Sequence, residues 1–211
     1  LNFQSLIATN AHRLCEAAHP DKVIEFGLRR AQGLDGGLSA SRAAFIGGCH
    51  ATSNVKAGQR YGIPVTGTIA HSFVLAFDTE EAAFDAYSKA LPDNLILVVD
   101  TYDTETGLQH AIKLGQRIKK QGHTLLGIRL DSGDLLSLSQ KARQALDQAG
   151  LTDTQIAASN ELDADIIQTL KSKGAPITIW GVGTKLVTGH PNPALDGVYK
   201  LSAIRSLKDS Q

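Results

Sequence analysis

Leu125-Leu126-Gly127-Ile128-Arg129-Leu130-Asp131-Ser132-Gly133-Asp134 decides the reading of the fold. Its first six residues make an apolar run of strand length, interrupted by one charge at Arg129. Polar groups crowd the end of the run: Arg129, Asp131, Ser132 and Asp134. A helical pattern follows over 135–149 and closes at Gly150, a residue that ends helices readily. A buried strand that carries polar groups at its carboxyl end and returns through a helix is one unit of a parallel α/β fold.

The same unit recurs in both directions along the chain. A helix is expected over 3–19 and a strand over 23–26. A turn at Asp35-Gly36-Gly37 is followed by a helix over 40–49, with Ser39 as its cap. A weak strand pattern covers 51–54, and a better one, β-branched and set off by Gly62, covers 63–69. Strands over 95–99, 125–130, 155–158 and 177–180 alternate with helices over 107–120, 135–149 and 164–173, and a last strand is expected over 198–204. An open doubly wound sheet and a barrel share this alternation. Reactive side chains close nearly every strand: Glu25, Ser53-Asn54, Thr68 with His71, Asp100 with Asp103, Arg129 with Asp131, Ser159-Asn160, then Gly181 and Gly183. An open sheet needs such residues only near its switch point, whereas every strand of a barrel ends at one mouth. The expected fold is an irregular TIM-like α/β barrel of seven or eight mostly parallel strands.

Composition agrees with a packed globular domain. Of 211 residues, 42% are hydrophobic and 20% charged, which excludes disorder. Lys+Arg and Asp+Glu both number 21, so a uniformly basic nucleic-acid binder is excluded. No run reaches the roughly 18 apolar residues of a membrane helix. The two cysteines, Cys15 and Cys49, lack zinc spacing and read as reduced thiols of a cytoplasmic protein. There is no methionine, so the chain is expected to begin inside a longer reading frame. Residues 1–20 are then expected to lead in as a helix, and residues 21–211 to form the barrel.

Arg129 and Asp131 are two residues apart, so an extended backbone turns both to one face. A guanidinium beside a carboxylate suits a substrate with both a negative group and hydroxyls. Ser132 and Asp134 also fit a cap for the next helix. Thr184 after Gly181 and Gly183 suits a phosphate, although a plain turn would use the same glycines. His71, three residues past Thr68, stands where an imidazole can serve as acid, base or nucleophile. Asp100 and Asp103 could hold Mg²⁺ through water or stabilise a cationic centre, unless one caps a helix. Glu25 with Arg29 and Arg30 is open between an anion site and a surface ion-pair loop. Trp180 reads as core.

Five motifs in order resemble the nicotinate phosphoribosyltransferase family. They are Glu25-Phe26-Gly27-Leu28-Arg29-Arg30, Gly67-Thr68-Ile69-Ala70-His71-Ser72, Asp100-Thr101-Tyr102-Asp103-Thr104, Ile128-Arg129-Leu130-Asp131-Ser132-Gly133-Asp134 and Gly181-Val182-Gly183-Thr184. The resemblance runs on to Leu195-Asp196-Gly197-Val198-Tyr199-Lys200.

The resemblance implies an enzyme of NAD biosynthesis. It would join nicotinate to phosphoribosyl pyrophosphate, giving nicotinate mononucleotide and pyrophosphate, with ATP hydrolysis coupled through a phosphorylated histidine and with Mg²⁺. His71 matches that histidine. Thr68 and Arg129 match nicotinate contacts, and Gly181, Gly183 and Thr184 match the site for the phosphoribosyl phosphate. Glu25, Arg30, Asp100 and Asp131 fall in motifs that line the same pocket. The family also implies a homodimer in which an N-terminal domain completes the pocket, so the chain alone is expected to be weakly active or inactive. The nicotinamide-using relative and an inactive nucleotide-binding barrel are the alternatives left open.

Overall fold

The computed structural model describes residues 2–193. In chain order the elements are α1 (Asn2–Ala18), β1 (Lys22–Glu25), α2 (Gly33–Ile46), β2 (Ala51–Thr52), α3 (Val55–Tyr61), α4 (His71–Val74), α5 (Glu80–Ala90), β3 (Leu95–Val98), α6 (Thr104–Lys119), β4 (Leu125–Leu130), α7 (Leu135–Gln148), β5 (Gln155–Ala158), α8 (Ala164–Ser172), β6 (Ile179–Val182) and α9 (Thr184–Val187).

The six strands are parallel and lie in the order β2-β1-β6-β5-β4-β3. Neighbours in the sheet are neighbours in the chain, except that β1 pairs with β6. That winding is the order of a barrel, because a doubly wound sheet reverses at a switch point instead. The described strands curl into part of a TIM-like barrel, with β2 and β3 at its seam. The expected strand over 63–69 meets the seam at one isolated bridge, Thr52 with Val65. Thr52 N donates to Pro64 O at 3.0 Å and Thr66 N donates to Thr52 O at 3.1 Å. Pro64 has no N–H to give, which limits the ladder there. The strand expected over 198–204 lies outside the described residues, as does the Leu195-to-Lys200 motif.

Alternation along the strands separates two apolar layers. Val23, Leu97, Ile128, Leu130, Ile156, Trp180 and Val182 face the surrounding helices in the main core. Ile24, Ala51, Ile96, Ala157 and Ile179 form a second, small cluster with Phe26 packed on it. These five come from five strands and plug the barrel's interior. Polar side chains can therefore gather only above them, at the carboxyl ends of the strands.

Several boundaries differ from the sequence expectation, among them those of α2 and β6, and α6 begins at Thr104 instead of Gly107. Helix α2 begins at Gly33, so Asp35-Gly36-Gly37 is its first part and Ser39 is interior, not a cap. Gly37 is buried because that face of the helix packs closely: a Cβ there would lie 2.8 Å from Leu28 Cδ1. Strand β6 runs two residues later than 177–180, through Gly181. Pairing of Gly181 with Ile24 overrides the weak strand preference of glycine. Trp180 is fully buried, and its Nε1 donates to Asp21 Oδ2 at 3.2 Å. Among the described residues no helix is long and apolar enough to cross a membrane.

Candidate active site

The inward positions just above the apolar plug line one cavity of about 610 Å³. Phe26 follows Ile24, Ser53 follows Ala51, Ser159 follows Ala157, and Gly181 and Gly183 follow Ile179, each at the two-residue step of a strand. Arg129 and Asp131 reach the same cavity from β4. The seam segment supplies Gly67, Thr68, Ala70, His71 and Ser72.

His71 sits at the start of α4 and is held at both ring nitrogens. Nε2 lies 3.1 Å from Asp131 Oδ2, and Nδ1 lies 3.1 Å from Thr101 Oγ1. Asp131 Oδ1 accepts from Ser159 Oγ at 2.5 Å. Beneath them the Asp100 side chain is 1% exposed. Its Oδ2 accepts from Asp131 N at 2.8 Å and Ser132 Oγ at 2.6 Å. Its Oδ1 is buried without a hydrogen bond, 3.9 Å from His71 Nε2. Asp100 thus ties the β3 and β4 ends together and presents a spare acceptor toward the imidazole.

Arg129 is half-buried, and its Nε has no hydrogen-bond partner. Burial pushes its pKa down, Asp131 and Asp100 oppose that, and Arg29 adds to it. Arg29 and Arg30 line the cavity from the turn after β1. Among the described residues none of these three guanidiniums has an ion pair with an acid. A cavity with three unpaired guanidiniums is prepared for anions.

On the far wall Thr184 starts α9, and its hydroxyl donates to Glu161 Oε1 at 3.1 Å. Gly181 leaves room for Phe26, since a Cβ there would lie 2.6 Å from the ring. At Gly183 an added Cβ would make only ordinary contact.

Most of the sequence-derived candidates converge: His71, Asp131, Thr68, Arg129, Arg30, Gly181, Gly183 and Thr184 line the cavity, with Asp100 directly below. Glu25 does not reach it. Strand alternation sends Glu25 to the face opposite Ile24 and Phe26, where it is 1% exposed. There it accepts from Ser41 Oγ at 2.8 Å, Thr52 Oγ1 at 2.6 Å and Gly27 N. It braces the turn that carries Arg29 and Arg30 instead of pairing with them. Asp103 and Asp134 are caps, accepting from Thr106 N at 2.9 Å and Leu136 N at 3.1 Å. Phe26, Thr101 and Glu161 belong to the site without having been singled out from the sequence. Period-two alternation from Ile24 was a usable signal for Phe26, whereas Thr101 and Glu161 are placed by long-range contacts.

The model of the nicotinate phosphoribosyltransferase (NAPRTase) family matches residues 22–207. Nicotinate phosphoribosyltransferase of Bacillus subtilis is 48% identical over 205 residues, covering 97% of this chain and 41% of that protein. The human nicotinate phosphoribosyltransferase is 35% identical over 259 residues, covering 97% of this chain and 48% of that protein. The crystal structure of human nicotinic acid phosphoribosyltransferase superposes with a TM-score of 0.80 at 32% identity, covering 86% of this chain and 47% of that one. The chain thus spans less than half the length of these relatives.

Proposed function

The chain belongs to the nicotinate phosphoribosyltransferase family, and on that premise we propose that its barrel mouth transfers a phosphoribosyl group to nicotinate. The carrying observation is the convergence of Arg129, Asp131 and His71 on one cavity whose arginines make no ion pair among the described residues. The pyridine nitrogen of nicotinate attacks the anomeric carbon of phosphoribosyl pyrophosphate. A C–N bond forms, the C–O bond breaks, and pyrophosphate departs with the electron pair.

Each residue has a task set by its chemistry. The Arg129 fork pairs with the nicotinate carboxylate, which favours nicotinate over its neutral amide. Thr68 and Phe26 confine the ring from the cavity walls. Arg29 and Arg30 hold the phosphates of the leaving group, and Thr184 with Gly181 and Gly183 receives the ribose phosphate. Positive charge builds on the ribose during displacement, and the Asp131 carboxylate stabilises it.

ATP is the coupled substrate in this reading. A carboxylate only accepts, so Asp131 fixes the proton on His71 Nε2 and leaves the lone pair on Nδ1. Nδ1 attacks the γ-phosphorus, an N–P bond forms, and the bond to the ADP oxygen breaks. Among the described residues no group of three or more His, Cys, Asp or Glu is arranged to hold a metal. Mg²⁺ typically binds through one or two carboxylates plus substrate phosphates. The buried, unpartnered Oδ1 of Asp100 and the carboxylate of Asp131 are the oxygens that would meet it. When bound, the ion neutralises phosphate charge. Under the same reading the protein works as a cytoplasmic homodimer.

The test is conversion of labelled nicotinate with phosphoribosyl pyrophosphate by the full-length protein, with and without ATP. Nicotinate mononucleotide and pyrophosphate should appear in equal amounts, and nicotinamide should compete poorly. Preference for nicotinamide would overturn the assignment of Arg129.

A further inference from the structure

Two consecutive residues after β5 hold left-handed backbone conformations, Asn160 at φ 105° and Glu161 at φ 47°. They are the only non-glycine residues with positive φ among the described residues. Such residues occur where surrounding structure imposes the conformation, commonly at functional sites. Both line the cavity. This backbone carries the Glu161 carboxylate across to the start of α9, where Oε1 accepts the Thr184 hydroxyl at 3.1 Å. Glu161 is exposed and makes no ion pair among the described residues, although three guanidiniums line the same cavity. The acid is committed to a hydroxyl donor, not to a cation.

We propose that Glu161 is an internal occupant of the phosphate subsite, a carboxylate that holds Thr184 until a phosphate ester displaces it. The proposal rests on the reading that Thr184 receives the ribose phosphate. A threonine hydroxyl has one proton to donate, and phosphate oxygens at neutral pH mainly accept. Glu161 and an incoming phosphate therefore compete for one donor, and as like charges they repel at close range. Every phosphate-bearing ligand must break the same bond to enter. The same carboxylate can retake Thr184 as the nucleotide product leaves, so Glu161 sets affinity at both ends of the cycle. Release steps commonly limit turnover in enzymes.

Isothermal titration of inorganic phosphate and of phosphoribosyl pyrophosphate into the purified protein tests this. The variants are Glu161→Gln, which removes the charge, Glu161→Ala, which removes the acceptor, and Thr184→Val, which removes the donor. Thermal melts confirm that each is folded. For Glu161→Ala both ligands should bind about five- to tenfold more tightly, by the same factor, because each escapes the same like-charge competitor. Glu161→Gln should act in the same direction, and Thr184→Val should weaken both ligands. If Thr184→Val weakens binding while both Glu161 variants leave it unchanged or weaker, Glu161 is no competitor and the proposal is overturned, with the phosphate reading intact. If none of the variants alters either affinity, the phosphate does not bind at Thr184, and both readings fail.

Discussion

His71 Nε2 lies 3.1 Å from Asp131 Oδ2, and that contact decides which imidazole nitrogen keeps a lone pair. The Thr101 hydroxyl can then donate to Nδ1, 3.1 Å away, and release it by rotating about its own bond. An Asp131→Asn side chain can present an N–H to the ring instead. The imidazole would turn to the other tautomer, with its lone pair on Nε2. ATP-coupled turnover should fall about a hundredfold or more, the scale of a lost acid–base arrangement. Ring nitrogen shifts in an ¹⁵N-histidine spectrum should report the tautomer change. Unchanged shifts together with unchanged turnover would remove Asp131 from this role.

Arg129→Lys keeps a positive charge and loses the planar fork. Binding of a carboxylate ligand loses one charge-assisted hydrogen bond of about 1.5–3 kcal/mol. The efficiency kcat/KM for nicotinate should drop about ten- to a hundredfold by the same conversion. Folding should change little, since among the described residues Arg129 makes no ion pair and its Nε has no hydrogen-bond partner. Steady-state kinetics with nicotinate and nicotinamide, beside a melting curve, separates the two effects. Full activity with nicotinate would place its carboxylate elsewhere.

Much of this site is legible in local sequence, because strand alternation is a local rule. Arg129 and Asp131 share a face for the same reason that Ile24 and Phe26 do. Applied to Ile24-Glu25-Phe26, that rule also turns Glu25 away from the barrel interior, even though its charge makes it a tempting ligand. The partners of His71 are a different matter. Thr101, Asp131 and Ser159 lie 30, 60 and 88 positions beyond His71 and meet it, directly or through Asp131, only because neighbouring strands carry them. The start of α2 is hidden for another reason: Gly36 and Gly37 resemble a turn locally, yet the burial of Gly37 against Leu28 rewards a helix without side chains there.

Gly181 should tolerate no side chain. A Cβ would sit 2.6 Å from Phe26 Cδ2 and 2.7 Å from Cε2, inside the ring's contact distance. Gly181→Ala must move Phe26 into the cavity or distort β6, at about 1–3 kcal/mol for overpacking. A denaturation midpoint should fall accordingly, and nicotinate binding should weaken along with it. The double variant Phe26→Ala with Gly181→Ala should recover part of the stability lost on adding the methyl group, measured against Phe26→Ala alone. Absence of that coupling would show that the ring is not what excludes a Cβ.

Cys15 and Cys49 are neighbours whose thiols are shifted in opposite directions. A hydrogen bond from Cys49 lowers the pKa of the Cys15 thiol, against burial and the charge of Glu16. Cys49 is 3% exposed, and the same hydrogen bond, followed by burial, holds its pKa well above the ordinary value. The thiolate is the reactive form, so alkylation at neutral pH should label Cys15 first and leave Cys49 for the denatured protein. Peptide mapping after brief treatment with iodoacetamide reads this directly. Earlier labelling of Cys49 would contradict the packing between α1 and the end of α2.

The sharpest expectation concerns the imidazole itself. His71 is partly exposed at the cavity, its ring is fixed from both sides, and Asp100 presents an unpartnered oxygen 3.9 Å from Nε2. His71 itself lines the cavity, and under the proposed function a phosphoryl group formed on its ring would consume ATP before pyrophosphate leaves. His71→Ala should therefore abolish stimulation by ATP. The fold should persist, because the ring packs in neither apolar cluster and its hydrogen bonds lie at a partly open mouth. Mass spectrometry after ATP treatment, with alkaline work-up to preserve the N–P bond, should place one phosphate on the peptide that contains His71. The Asp131→Asn protein should lose Nδ1 labelling, since its free lone pair lies on the other nitrogen. Phosphate found on a different residue, or ATP stimulation that survives in His71→Ala, would mean that the histidine only braces Asp131 and Thr101 and that coupling to ATP occurs at another group.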